Sequence, residues 1–312
     1  MMAAFEAWRS HLLDMFTGQP DGRTDWLLDI ENGDDAGYFG DGSAAWTVHG
    51  GMSTIVAGIR ALLMQALHPG AMAGVHDWSR YREDPLGRLS GTIRWIIVVT
   101  FASSASARAE SARVGKFHER VRGTYPGADG VPVPYSAADP ELLLWVHMAF
   151  ADAFLGSHER WGGAIPGGPD GYVAEWAAAG QMVGVQDPPR SAGELRARIE
   201  ELRADGTLRR DERVDEVVRF IRNPPLRRRM RPAYRVLFGG AVASLPREYR
   251  KLLGLRRSWL PVVTGTRFLL WGVGLVLGRR STAEDSALRR IARLAEAGLP
   301  TGPVSWEATA AR

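Results

Sequence analysis

The sequence predicts an all-α protein built as a single helical domain. Glycine and proline divide its 312 residues into blocks whose apolar positions recur at helical spacing. No block reads as a run of alternating strands, and no internal repeat is present. With 45% hydrophobic residues the chain can bury a sizeable core.

Taken in order, residues 1–44 read as a helical extension. Its start, MMAAFEAWRSHLLDMF, has acidic residues and no apolar run before a small-residue cleavage site, so no secretory signal and a cytoplasmic protein are expected. Between Gly50 and Pro69, the positions Met52, Ile55, Val56, Ile59, Leu62, Leu63 and Ala66 share a helical face, and HPG supplies the stop. A second helix is predicted from Gly87 to Phe101, apolar on nearly every side at its end and so central. A third runs from Ala105 to Arg122, followed by the turn-rich connection TYPGADGVPVPYSAADPE. Ser136 or Asp139 then caps a long helix that has Pro140 in its first turn and ends near Trp161. GYVAEWAAAGQMVGV, a serine-capped SAGELRARIEELR and DERVDEVVRFIRN follow, before a basic, proline-interrupted C-terminal third. Residues 45–260 are read as the main helical domain and 261–312 as a helical segment packed on it. The run from Phe268 to Leu277 reads as a buried or interfacial helix, because Pro261, Thr264, Thr266 and Arg267 interrupt the longer apolar stretch; peripheral membrane contact is the lesser alternative.

The chain has no cysteine, which removes disulfides, thiolate metal sites, iron–sulfur clusters and cysteine nucleophiles. Any metal or cofactor must be held by His, carboxylate or backbone. The net charge is +4, and its arginines are spread over several segments, with one dense run, RRRMR, at 227–231. No recognition motif accompanies them, so a nucleic-acid partner is not expected.

Several residues could carry chemistry. Arg88 and Thr92 are four apart and share a helical face, offering a cation and a hydroxyl; the plainer reading is an Arg paired with Glu83 or Asp84 and a Thr bonded to its own turn. His118 shares a stripe with Val114 and Val121, and His147 one with Leu143, Phe150 and Phe154. Each is most simply a packed core histidine, but two helices with one inward His apiece are also how a bundle holds haem. His68, in QALHPG, reads as a helix C-cap or as a group reaching a cofactor. His11, His49 and His158 have no spacing that raises them. HERVR lacks the second His of a zincin, Glu-x-x-His repeats for a dinuclear iron site are missing, and the glycines of VVTGTRFLLWGVGLVLG do not make a dinucleotide fingerprint.

The succession ALHPGAMAGVHDWSRYREDPLGRLSGT, RVGKFHERVRG, YSAADPELLLWVHMAFADAFL and GYVAEWAAAGQMVGV resembles the bacterial family that shares a catalytic domain with latex-clearing protein (rubber oxygenase) and the fungal MpaB-type oxygenases. The resemblance covers roughly residues 45–260. It implies a globin-like core holding non-covalent haem b, an oxygenase reaction with dioxygen, and a hydrophobic, unsaturated, isoprenoid- or lipid-like substrate cleaved at a carbon–carbon double bond. In the rubber oxygenase an Arg and a Thr four residues apart lie on the distal side of the haem, and a later His is the proximal ligand. Arg88 and Thr92 match that pair as catalytic residues, and His118 matches the iron ligand. Two departures stand out: Gly91 replaces the lysine that precedes the Thr in the rubber oxygenase, and His147 belongs to the MpaB-like branch, as a second or alternative ligand. His68 is carried as a further cofactor contact. The rival readings are a bis-His haem sensor or carrier and a cofactor-free helical protein.

Overall fold

The computed structural model describes residues 25–78, 85–278 and 280–310; of residues 25, 85–90, 309 and 310 it describes the backbone alone. The predicted extension before residue 25 lies outside the described residues.

The protein is mostly α-helical, as the glycine and proline punctuation requires. Its short N-terminal helices are α1 (Asp25–Leu28) and α2 (Ala44–Gly50); α3 (Thr54–Gln65) and α4 (Pro69–Trp78) follow. Next come α5 (Pro85–Phe101), α6 (Ser104–His118), α7 (Pro140–Trp161), α8 (Gly168–Met182), α9 (Ala192–Ala204) and α10 (Glu212–Arg222). The C-terminal part holds α11 (Arg231–Ser244), α12 (Arg247–Leu252), α13 (Val262–Leu277), α14 (Thr282–Glu296) and α15 (Trp306–Ala310). The starts obey capping chemistry, since the first backbone N–H groups of a helix have no partner within it. Ser43 accepts from the Trp46 N–H, Ser103 from Ser106, and Ser191 from Glu194, the last as the sequence predicts. Asp139 sits at the start of α7, but its carboxylate accepts from the Ser136 N–H at 2.7 Å rather than from the helix.

The long helices α3 and α7 pack along each other at the centre, with Leu63, Met64, Trp145, Met148 and Leu155 fully buried between and around them. Helix α11 covers α3 from one side; α2 and α8 cover α7 from the other. The hairpin of α5 and α6 closes the core next to α2 and α8. Arg290 of α14, with no exposed surface, ties the C-terminal helices to the N-terminal loop: its guanidinium donates to the carbonyls of Ile30, Asp35, Ala36 and Phe101.

Two differences from the sequence reading matter. The turn-rich connection is a β-hairpin, β1 (Arg122–Pro126) paired antiparallel with β2 (Pro132–Ser136), Thr124 opposite Pro134. Three prolines hide it in the sequence, yet both strands of a two-stranded ribbon are edges, where a missing N–H is tolerated. The hairpin packs on α4, and the Tyr135 hydroxyl donates to Asp77 Oδ2 at 3.0 Å. Because the chain turns at residues 119–121 to enter β1, α6 ends at His118 instead of running on to Arg122.

Candidate functional site

Helix α5, a two-residue link and α6 fold back on each other, so residues early in α5 lie near residues late in α6. Two contacts between the helices fix that register, and a third, within α6, holds Glu110 in place. The Trp95 indole N–H donates to Ser111 Oγ at 3.1 Å, and Arg94 meets buried Glu110 at 3.1 Å. Arg113 meets the same carboxylate at 2.6 Å. Extending the pairing of Trp95 with Ser111 by about two helical turns brings the Arg88 backbone level with His118. Arg88 and Thr92 do fall on one helix, one turn apart, with Thr92 half-buried. The Arg88 side chain lies outside the described residues.

His118 is half-buried at the last position of α6, and its Nδ1 is buried with no hydrogen-bond partner among the described residues. The negative end of the helix favours a cation there. Burial opposes it and lowers the pKa, so the ring is neutral at pH 7. An imidazole nitrogen desolvated without a partner costs about 1–3 kcal/mol unless something coordinates it.

His147 is buried in the middle of α7, where burial lowers its pKa to about 4. Helix α8 approaches it through Gly180, where a Cβ atom would lie 2.7 Å from His147 Nδ1. Helix α8 therefore contacts both histidine-bearing helices, α6 and α7. Its Trp176 faces α5, with the Trp95 ring at 5.9 Å in an edge-to-face pair. No ligation contact joins His118 and His147 among the described residues, where no group of three or more His, Asp or Glu side chains is placed for a metal ion. Haem iron takes four ligands from the porphyrin and needs only one or two from protein, so a neutral buried imidazole with a partnerless nitrogen is a fitting donor. Both histidines meet the charge requirement and neither ring has a hydrogen-bond partner among the described residues; the Nδ1 of His118 is the nitrogen fully shielded from water.

His68 ends up with a local task. It sits at the start of α4 rather than capping the end of α3: its Nδ1 accepts from the Gly70 N–H at 3.2 Å and its carbonyl from Met72 at 2.9 Å. Burial first and the Arg209 charge second depress its pKa to about 4.

A second cluster escapes the sequence reading. His49, buried at the end of α2, lies 4.1 Å from the Trp176 ring and 4.7 Å from that of Phe154. Its Nε2 is 3.2 Å from the Tyr172 hydroxyl, and its Nδ1 is buried without a partner. Burial and the nearby His158 hold its pKa down at about 3. His158 lies 3.4 Å from Ser53 Oγ through Nδ1, while its Nε2 is also unpartnered. No stripe flags His49, because α2 is a short helix closed by Gly50 and Gly51. The pair is visible only once α2, α7 and α8 are assembled.

A cleft of about 830 Å³ opens elsewhere, between α3, α7, α9 and the start of α13. Charged groups line it, among them the ion pair of Arg60 with Asp152 and the side chains of Glu159, Arg160 and Arg196. None of the histidines above reaches it.

A helical enzyme domain with an imidazole-bearing interior is the class that this fold and site define. The chain belongs to the family described as ER-bound oxygenase mpaB/B′/Rubber oxygenase, catalytic domain, which matches residues 46–277. It is thus an oxygenase-type oxidoreductase, as the sequence resemblance implies. No curated protein and no solved structure matches the chain.

Proposed function

We propose that this protein is a haem b-dependent oxygenase that uses dioxygen to oxidise a hydrophobic, unsaturated small molecule of isoprenoid or lipid type, with His118 as the residue that holds the iron. The observation carrying this reading is the buried, partnerless nitrogen of a neutral His118 in a chain of the oxygenase family. When bound, haem supplies the means of activating dioxygen that no side chain of this protein has.

The protein's own residues do the rest. His118 keeps a lone pair unprotonated at pH 7, because burial disfavours its cation. In this reading Arg88 would supply a fixed positive charge, and Thr92, one turn on, a hydroxyl donor, for the dioxygen chemistry that haem would bring. With Gly91 before the Thr, this chain has no lysine ammonium at that place, so polar control falls to Arg88 and Thr92. Trp95 and Trp176 exclude water and offer apolar surface suited to a hydrocarbon substrate. His147 is the alternative or second ligand: it too is neutral at pH 7, and only glycine at 180 leaves its ring that space.

The test is spectroscopic. Protein expressed with ample haem, then reduced, is recorded with and without carbon monoxide, alongside His118→Ala and His147→Ala. The proposal expects a haem-type spectrum that shifts with carbon monoxide, lost in His118→Ala and retained in His147→Ala. Loss only in His147→Ala would move the ligand to α7. A ferrous form indifferent to carbon monoxide would indicate a bis-His carrier, and colourless protein a helical protein without the cofactor; either result overturns the oxygenase reading.

A further inference from the structure

Helix α13 is pinned along one side only. Thr266, Leu270 and Val273 face inward and are buried. The Thr266 hydroxyl donates to the Val236 carbonyl of α11 at 3.2 Å, and the Trp161 indole donates to the Val263 carbonyl at 3.2 Å. Glycines make this close approach possible, since a Cβ at Gly240 would sit 2.5 Å from Thr266 Oγ1. The helix therefore lies flat against α11, roughly 24 Å long.

The opposite face is apolar and, among the described residues, uncovered. Phe268, Trp271 and Leu275, at spacings of three and four, are 67%, 66% and 60% exposed. Just before the helix, Trp259 is 92% and Leu260 52% exposed. Leaving two indoles, a phenyl ring and two leucines in water is unfavourable by about 25 cal/mol for each Å² of apolar surface. Single exposed apolar residues are ordinary; five on one segment of a helix and its lead-in mark a contact surface.

The surrounding charge says what covers it. From Val217 to Ala283 the sequence holds fifteen Arg and Lys against a single acid, Glu248. Arg256 and Arg257 are exposed immediately before Trp259, Arg267 is exposed beside Phe268, and the Arg228–Met230 turn that leads into α11 is exposed as well. Tryptophan, leucine and phenylalanine on one face with arginine at the rim match the layering of an anionic bilayer surface, where indoles settle at headgroup level and arginines meet phosphates. Among the described residues no single helix is long and apolar enough to cross a membrane; α13 reaches that length only together with α14, across a 49° bend.

We propose that the outer face of α13, with Trp259 and Leu260, docks the protein peripherally on an anionic phospholipid bilayer. Contact is made by Trp259, Phe268, Trp271 and Leu275 entering the headgroup–acyl boundary, while Arg256, Arg257 and Arg267 neutralise lipid phosphate. The surface is separate from the histidine sites, so its occupancy is independent of the haem reading.

Co-sedimentation of the full chain with vesicles of phosphatidylcholine alone, and of phosphatidylcholine mixed with phosphatidylglycerol, tests this. Binding is expected to the mixed vesicles, weakly or not at all to the neutral ones, and to weaken as salt is raised. The pair Phe268→Ser and Trp271→Ser should lower binding by at least about tenfold. Arg256→Gln with Arg257→Gln should lower it by roughly tenfold or more on the mixed vesicles only. Circular dichroism and size-exclusion light scattering of each variant distinguish lost docking from lost folding, and these exposed positions are expected to leave both unchanged. Absence of binding to mixed vesicles overturns the proposal, as does binding that both variant pairs leave intact. It is also overturned if the wild type is a dimer that Trp271→Ser makes monomeric, since a second copy then covers this face.

Discussion

Acidification should weaken this protein steeply between about pH 6.5 and pH 4, because its interior histidines are buried as neutral rings. His49, His68 and His147 are each at most 8% exposed, and burial takes their pKa values from 6.5 to about 3, 4 and 4. In the unfolded chain each ring takes up a proton near 6.5; in the folded protein it does not until far lower pH. The unfolded state therefore binds more protons across that window, so stability falls as pH falls and levels off once pH is below the folded values. Going from about pH 7 to pH 5 costs roughly 2 kcal/mol for each ring, or about 5–6 kcal/mol for the three. That is comparable with half the stability of an ordinary domain. His118 and His158, whose pKa values are also lowered by burial, add in the same direction. Urea titrations followed by circular dichroism at successive pH values measure the effect. Between about pH 6 and pH 5 the slope should approach three protons, close to 4 kcal/mol per pH unit, and His147→Gln should remove about one of them. A slope of one proton or less would show that these rings are already charged or solvated in the folded state, and the neutral-imidazole interior would be wrong.

Two further substitutions probe the architecture. Gly180→Ala should gain up to about 1 kcal/mol from helix propensity, but its methyl group would meet His147 Nδ1 at 2.7 Å. The net expectation is a loss of about 1–3 kcal/mol, seen as a lower melting temperature; unchanged or raised stability would mean that α8 does not press on that ring. Arg290→Met should cost about 3–5 kcal/mol by leaving the carbonyls of Ile30, Ala36 and Phe101 without their buried donor. Arg290→Lys should not restore it, since one ammonium cannot span the four acceptors of the planar fork; recovery of the wild-type unfolding midpoint by lysine would refute that geometry.

Helices were legible wherever periodicity and caps agreed. The segment of α7 is an example, with Pro140 at its first turn and Trp161 at its end, both read from the sequence. The β-hairpin was not, because its pairing joins residues six to fourteen positions apart and its prolines argue against strands locally. The end of α6 was misplaced for a related reason: residues 119–121 are compatible with a helix, and only the hairpin that follows pulls them out of one. At the site, the one-turn spacing of Arg88 and Thr92 and the inward placement of His147 follow from helical period alone. What period cannot give is which separate helices share a neighbour. His49 and His158 had no pattern of their own, yet Trp176 and Tyr172 of α8 and Ser53 before α3 gather around them. Likewise the apolar run of α13 reads as buried or interfacial by composition, and only its packing on α11 shows which of its residues face out.

The buried imidazole nitrogen of His49 that has no partner among the described residues bears on how the interior is organised. Burying a neutral ring with one nitrogen unpaired is unfavourable, and replacing it with an apolar residue of similar volume relieves that cost. His49 is enclosed by Trp176, Phe154 and Tyr172, which would accommodate a leucine or phenylalanine sterically. The Tyr172 hydroxyl, whose own pKa burial raises well above its usual value, is the one polar group that gains by the exchange of a carbon for Nε2 at His49. A hydrogen bond between two buried neutral groups returns only about 1 kcal/mol, less than the penalty of the free Nδ1. Stability alone therefore does not account for an imidazole at this position. Because Trp176 packs against both His49 and Trp95, a single indole separates this ring from the part of α5 that carries Thr92.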